Sequence, residues 1–537
     1  MLFVGRKAME ICMKKYTKIL AYMLSAVLCL GFFSGCSSKN ETDGAEDNTI
    51  SFWIANSNTS IIKNYDEIDA IAEWQKRMNV DIEFFHPSSG NETEQFNIMA
   101  ASGDFKDVVN YNWNGYAGGP VRAASDGAIL VLDDYIEKYM PNLLNEMKAD
   151  SHINYLARAY DGSVCVIPGF SDSLITASSF GPAIRKDWLD KLGLEVPKTI
   201  DDWYNVLTAF KTKDPNGNGL ADEIPFVADG TATFTRFSRA WEGVQEHFYV
   251  DGEGKVRYGF IEPQYKEFLI EINKWYKEGL IDPEYAATNA SMINTKMVSG
   301  VGGSFVGYSG SGLVKYMLAG RETDPNFTLV GTQWPTHNGG QPWTGYPYQA
   351  ERGTLGKGMA ISAKCANIET TLKTIDFLYG KEGVELMNWG IEGVTYNKNG
   401  EEKQFTDLVL ANPEGKTPVE TITKYALVQY GFAKGDSEAF MQINSTLPEQ
   451  QEAMKLWNEA DISRVLPSLS ISPEEQDIIT GVLDDVLTYR VEWMNKFIMG
   501  VEPIDKWEEV CENIRDLGID KATEVYQKAY DRKLKQK

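Results

Sequence analysis

The chain has 537 residues, 76 acidic against 52 basic side chains, a net charge of −24, 12% aromatic residues and 6 cysteines. A polyanion of this kind does not bind nucleic-acid phosphates, and its length exceeds one comfortable hydrophobic core, so at least two domains are expected. Cys165, Cys365 and Cys511 are far apart with no CxxC pair, which argues against a disulfide framework or a zinc site and for small core residues.

At the N-terminus Lys14, Lys15 and Lys18 precede an apolar run, Ile19–Phe33, and then Ser34, Gly35 and Cys36. That order is an export signal, and its apolar core is too short for an ordinary membrane span. The Ser-Gly-Cys ending resembles a bacterial lipobox, which implies lipidation of Cys36 as the first mature residue. Residues 1–35 are read as the leader, with Met13 the more natural start, and residues 36–48 as a flexible tether. Removing the leader's five basic and one acidic residue leaves a charge near −28. The expected place is the extracytoplasmic face of the cell membrane, held by lipid.

From Thr49 the pattern alternates strand and helix. Strands are expected at Thr49–Asn56, Val80–Phe85 and Lys106–Trp113, with helices over Tyr65–Met78, Glu94–Phe105 and Leu130–Tyr139. This alternation predicts an α/β domain with a largely parallel sheet. Gly162–Phe170 reads as a strand leaving that domain. Thr199 is placed to cap a helix from about Ile200, and further helices are expected over Pro263–Glu278, after Ser311, and over Pro473–Phe497 and Trp507–Asp531.

"IRKDWLDKLGLEVPKTIDDW", "DPNGNGLADEIP", "NWGIEGVTY" and "GIDKATEVYQKAYDRK" together resemble the lipoprotein branch of bacterial extracellular solute-binding protein family 1. The resemblance implies a two-lobed, type II periplasmic-binding-protein-like α/β fold with a hinge and several chain crossings. Lobe 1 would comprise 49–168 with 350–400, and lobe 2 169–349 with 401–537. Crossings are expected near Pro168–Ser171, Tyr346–Thr354 and Asn397–Gln404. It further implies a monomer that closes on a carbohydrate and hands it to the permease of an ABC importer.

Enzyme signatures are missing from the sequence. His86, His152, His247 and His337 show no HExxH spacing, and Gly307–Gly312 fails the GxSxG pattern. The abundant acids leave a glycan-active enzyme as the alternative, beside a sensor or adhesin that binds without transport. For a binder, aromatic rings would pack on sugar C–H faces while polar groups bond the hydroxyls. Strand ends nominate Trp53, Asn56, Asn112 and Trp113. Tyr308 and Ser309 stand where maltose-type relatives place a stacking aromatic, and Trp334, Trp389, Glu392 and Arg185 complete the candidate set.

Lys213–Pro225 carries a separate signal. Counted from Asp214, the residues Asn216, Asn218, Gly219, the Leu220 carbonyl and Asp222 match positions of an EF-hand calcium loop. Pro225 replaces the closing glutamate, which excludes an ordinary EF-hand, but Glu223 can supply a carboxylate. The same arrangement occurs as a calcium site in alginate-type relatives of the family, which implies structural calcium here.

Overall fold

The computed structural model describes residues 48–536 apart from 231–232, 346–350 and 429–432. The leader, Cys36 and part of the expected crossing at Tyr346–Thr354 lie outside these residues. The strands of the two larger sheets are β1 (Thr49–Ile54), β2 (Asp81–Phe85), β3 (Val108–Asn112), β4 (Ile167–Ser171), β5 (Phe180–Arg185), β6 (Ser304–Tyr308), β7 (Leu329–Gly331), β8 (Gly353–Ile361) and β9 (Lys434–Gly435). The helices that matter here are α1 (Asp69–Met78), α2 (Glu92–Ser102), α3 (Ser151–Ala157), α4 (Ile200–Thr212), α5 (Pro263–Lys277), α6 (Ile368–Asp376), α7 (Lys381–Trp389), α8 (Ser437–Asn444), α9 (Pro448–Asn458), α10 (Pro473–Met499), α11 (Trp507–Asp516) and α12 (Ile519–Lys535).

The first sheet has six strands in the order β9–β4–β8–β3–β1–β2. β1 pairs in parallel with β2 and β3, setting Phe52 opposite both Phe84 and Val108. β8 enters antiparallel between β3 and β4, so the parallel pattern is broken by a strand returning from far along the chain. α1 covers this sheet with Ile71 and Trp74, and ends at Asn79 in the left-handed conformation. The Trp74 indole donates to the Thr374 carbonyl at 3.0 Å, tying α1 to α6.

The second sheet is antiparallel, β6–β5–β7. Its helices bury Trp188, Trp203, Trp275 and Trp334 in one core with α10 and α11. α4 starts where the sequence places it: the Thr199 hydroxyl accepts the Asp202 amide, and Asp202 accepts that of Thr199. α9 lies over β5 and β7, with Trp457 so close to Gly181 that a Cβ there would come within 2.3 Å of the indole. Only glycine fits.

Two expectations differ from what is found. Residues 396–428 and 433–444 stay with the first sheet instead of leaving it after residue 400: Trp389, Tyr396, Phe405 and Ile422 share one cluster, and β9 pairs with β4. The cause is the Trp389 ring, which is covered by Phe405 at 4.7 Å. The chain therefore crosses to the second sheet between α8 and α9. The final helix over Trp507–Asp531 is two, broken at Gly518 with φ +99°. Cys165, Cys365 and Cys511 are buried and unpaired. Among the described residues no helix is long and apolar enough to cross a membrane.

Candidate ligand-binding cavity and cation loop

The carboxyl ends of β1 and β3 open into a cavity of about 790 Å³, where ligands of open α/β sheets are expected. Ala55 and Ser57 follow β1, Asn110, Tyr111 and Asn112 end β3, and Lys357 and Gly358 come from β8. Phe170, Ser171 and Thr176 line it from the first crossing, with Asp436 and Phe440 at the start of α8. Tyr111 lies against Phe96 with ring centroids 4.0 Å apart and donates its hydroxyl to Thr93 at 3.2 Å.

The charges at the wall are largely engaged. Arg352 pairs with Asp150 and donates to the Asp172 carbonyl at 3.2 Å. Asp436 accepts the Trp389 indole N–H at 2.7 Å and Lys403 at 3.0 Å while capping α8. Burial pushes the Asp436 carboxyl up, but these donors outweigh it and hold the group below its ordinary value. Lys357 is exposed and aimed from the strand facing Asn112.

Of the residues nominated by sequence, Asn112 lines this cavity. Asn56 is buried just behind it, donating to the Ile62 carbonyl at 3.0 Å and accepting the Asn58 amide at 2.8 Å, so it shapes the loop after β1. Trp53 is buried beneath the cavity floor, edge-on to Tyr111. Trp113, Trp334 and Trp389 are corrections: each is at most 1% exposed, so no ring face is open to a ligand. Trp113 folds back into a helical turn and donates to the Val109 carbonyl. Trp334 belongs to the second core.

Arg185 is also structural in place. It is 3% exposed, paired with Asp187 at 2.8 Å and stacked over Phe327 at 3.9 Å. Glu392 is exposed, pairs with Lys398 at 3.2 Å and does not line the cavity. Tyr308 is different. It is 46% exposed at the end of β6, set edge-on to Phe180, and is followed by a π-helical turn over Ser309–Val314. Such turns mark functional positions often enough to matter. Ser309 is buried and bonded to Gln450 at 3.4 Å. Sequence reasoning passed over Tyr111, Thr176, Arg352 and Asp436. Only Tyr111 left a signal, as an aromatic between two asparagines at a strand end.

In the loop after α4, Asp214 accepts the amides of Gly217, Asn218 and Gly219 at 2.8–3.1 Å. Asp222 accepts the side-chain amides of Asn216 and Asn218 at 3.0 Å and 3.0–3.2 Å. Among the described residues no three acidic, histidine or cysteine side chains converge as a ready cage. Glu223, however, is 2% exposed and neither of its carboxylate oxygens has a hydrogen-bond partner. An unpaired buried carboxylate is strongly unfavourable without a cation. The residues present therefore fit a hard cation such as calcium.

The sequence model of the bacterial extracellular solute-binding proteins matches residues 60–385. The chain belongs to that family. It is 27% identical to the fructooligosaccharide ABC transporter substrate-binding protein FusA of Streptococcus pneumoniae, over 96% of this chain and 98% of FusA. It is 23% identical to the polygalacturonan/rhamnogalacturonan-binding protein YtcQ of Bacillus subtilis, over 86% and 88%. The crystal structure of alginate-binding protein AlgQ2 without calcium ion superposes with a TM-score of 0.64 at 27% identity, covering 91% of this chain and 99% of that one. The fold of this solute-binding protein is accordingly type II, and the relatives named are binding proteins.

Proposed function

We propose that this solute-binding protein is a lipid-anchored extracytoplasmic receptor that binds an oligosaccharide and delivers it to the permease of an ABC importer. The observation that carries the reading is the cavity at the strand ends, large enough for a ligand of several rings and walled by Tyr111 and Phe440 beside Ser57, Asn110, Asn112 and Lys357. The names of FusA, YtcQ and AlgQ2 support a carbohydrate. Tyr308 provides the facing wall from the second sheet, reached when the two lobes close about the crossings. Cys36 carries the lipid, and the protein acts as a monomer with no catalytic step.

Calcium is a structural ion in this reading. Asp214, Asn216, Asn218, the Leu220 carbonyl, Asp222 and Glu223 would hold it, and it would neutralise charge at the turn after α4. The fold-level support is the buried, unpartnered Glu223 carboxylate.

The function is tested by calorimetry against fructo-oligosaccharides and oligogalacturonides, from disaccharide to hexasaccharide, with each ligand recovered and analysed. Binding with the ligand returned unchanged is the expected result. Turnover would make the protein an enzyme, and absence of binding across both series would remove the oligosaccharide reading.

A further inference from the structure

The loop after β1 brings Ala55 and Ser57 to the cavity and ends at Tyr65, which lines the same wall. One side chain joins its two ends. His86 follows β2 directly, one position past the paired residues Trp53 and Phe85. Its Nδ1 lies 2.7 Å from the Ile54 carbonyl at the loop's start, and its Nε2 lies 3.2 Å from the Tyr65 amide nitrogen at the loop's end. Tyr65 adds a second tie, donating its hydroxyl to the Ala55 carbonyl at 3.1 Å.

A carbonyl only accepts, so Nδ1 carries the ring proton and Nε2 accepts the Tyr65 N–H. The same Nε2 lies 3.2 Å from Asn64 Oδ1, an acceptor that already holds the Asp66 amide at 3.4 Å. A second proton on the ring reverses this choice. Nε2–H would then face the Tyr65 N–H donor to donor and find its acceptor in Asn64 Oδ1. The ring is half-buried, parallel to Phe84 with centroids 6.1 Å apart and 4.7 Å from the Tyr65 ring. Burial holds the imidazole below its ordinary value, against the Ile54 carbonyl and the Asp66 charge, which both favour the cation. The other charged groups on these elements are turned elsewhere: Glu67 accepts the Lys63 and Asn64 amides, Lys63 is exposed, and Glu83 lies on the exposed face of β2.

We propose that His86 is a positioning residue for ligand binding: its neutral ring holds the loop after β1 against the cavity, and its protonation exchanges the Tyr65 amide for the Asn64 side chain and loosens that wall. The inference rests on the cavity being the ligand site. Affinity is full while the ring is neutral and falls as pH drops through its protonation, so the ligand is held in neutral surroundings and released in acid ones.

The test follows three quantities from about pH 8 to about pH 5: ring protonation by NMR of labelled histidines, hydrogen exchange of the Tyr65 amide without ligand, and calorimetry with the shortest sugar of the two series that binds. His86 is expected in its Nδ1–H form at the upper end. Its protonation, the loss of Tyr65 amide protection and the fall in affinity should share one midpoint, with binding up to about tenfold weaker per pH unit below it, one proton's worth. His86→Gln should abolish the fall. Asn64→Asp keeps the cap and offers the imidazolium an anionic acceptor, so it should move the midpoint to higher pH. His152→Gln, in α3, should leave the midpoint in place. A ring that stays neutral to pH 5, a fall that survives His86→Gln, or a midpoint that ignores Asn64→Asp or moves with His152→Gln would overturn the proposal and leave His86 a packing group. If no sugar binds the unmutated protein, the oligosaccharide reading falls, while ring titration and Tyr65 exchange still decide whether the switch exists.

Discussion

The two sheets divide their aromatic residues in the same way but leave different amounts of ring open. The three-stranded sheet buries Trp188, Trp203, Trp275 and Trp334 to within 1% of full coverage and leaves Tyr308 standing at its edge. The six-stranded sheet buries Trp53 and Trp113 near a cavity whose half-buried ring, Tyr111, is carried one residue before a polar strand end. In both, these tryptophans pack while Tyr308 and Tyr111 keep part of their rings open, although other tyrosines, Tyr65 and Tyr265 among them, are fully buried. The phenol's polar tip tolerates water while its ring still packs, whereas the Trp113 indole finds its partner inside, at the Val109 carbonyl, and those of Trp188, Trp203 and Trp334 are buried without one.

The largest expected effect separates these classes. Trp389→Ala should destabilise the protein by about 3–5 kcal/mol, the usual range for emptying a large aromatic site. It also strips the indole donor from Asp436, which borders the cavity. Equilibrium unfolding in urea reads the loss. A change below 1 kcal/mol would mean that the ring is not the centre of its cluster.

The next effect belongs to the seam between the sheets. Burial, followed by the nearby Lys533 and Arg352 charges, pushes the His152 imidazole down to about 4 from 6.5. As pH falls below 6.5 the unfolded chain takes up a proton that the folded one refuses until about pH 4, so stability declines across that window. The shift corresponds to about 3 kcal/mol. His152→Gln should flatten the stability curve between pH 6.5 and 4 whatever it does to stability at pH 7. An unchanged slope would place the acid sensitivity elsewhere.

Calcium comes third. With free ion a hundredfold above its dissociation constant, binding only the folded state adds about 2.7 kcal/mol. Melting in chelator and in millimolar calcium should differ for the unmutated protein and coincide for Asp214→Ala/Asp222→Ala. Equal melting of the unmutated protein in both would leave Glu223 a buried acid without a cation.

Much of this was legible beforehand. The strand–helix alternation, the Thr199 cap and the family resemblance all led to the fold, because local periodicity and capping chemistry report directly on elements. The site was less so. Asn112 was found from its place at a strand end, but Arg352 and Asp436 reach the cavity beside the pairings Lys357↔Asn112 and Lys434↔Phe170, which join residues about 245 and 264 apart. No local pattern records such neighbours. Burial defeated the tryptophan assignments for the same reason: Trp389 is covered by Phe405, whose approach depends on the chain staying with the first sheet.

The smallest effect on stability is the sharpest test of the comparison. Tyr308 is nearly half exposed and meets Phe180 by an edge, so little apolar area is lost when its ring is removed. Tyr308→Ala should change unfolding stability by no more than about 0.5 kcal/mol, the range for surface positions. The following π-helical turn holds its shape through the Ser309 amide, which donates to the Ser179 carbonyl at 2.7 Å independently of the tyrosine ring. Ligand affinity, by contrast, should fall by about 0.5–1.5 kcal/mol, as expected for one aromatic contact. Set beside Trp389→Ala, the two variants should show opposite profiles: stability lost at the buried indole, affinity lost at the exposed phenol. If Tyr308→Ala lowers stability without touching affinity, the exposed ring packs the second sheet's edge, and the wall facing the cavity must be sought in other side chains.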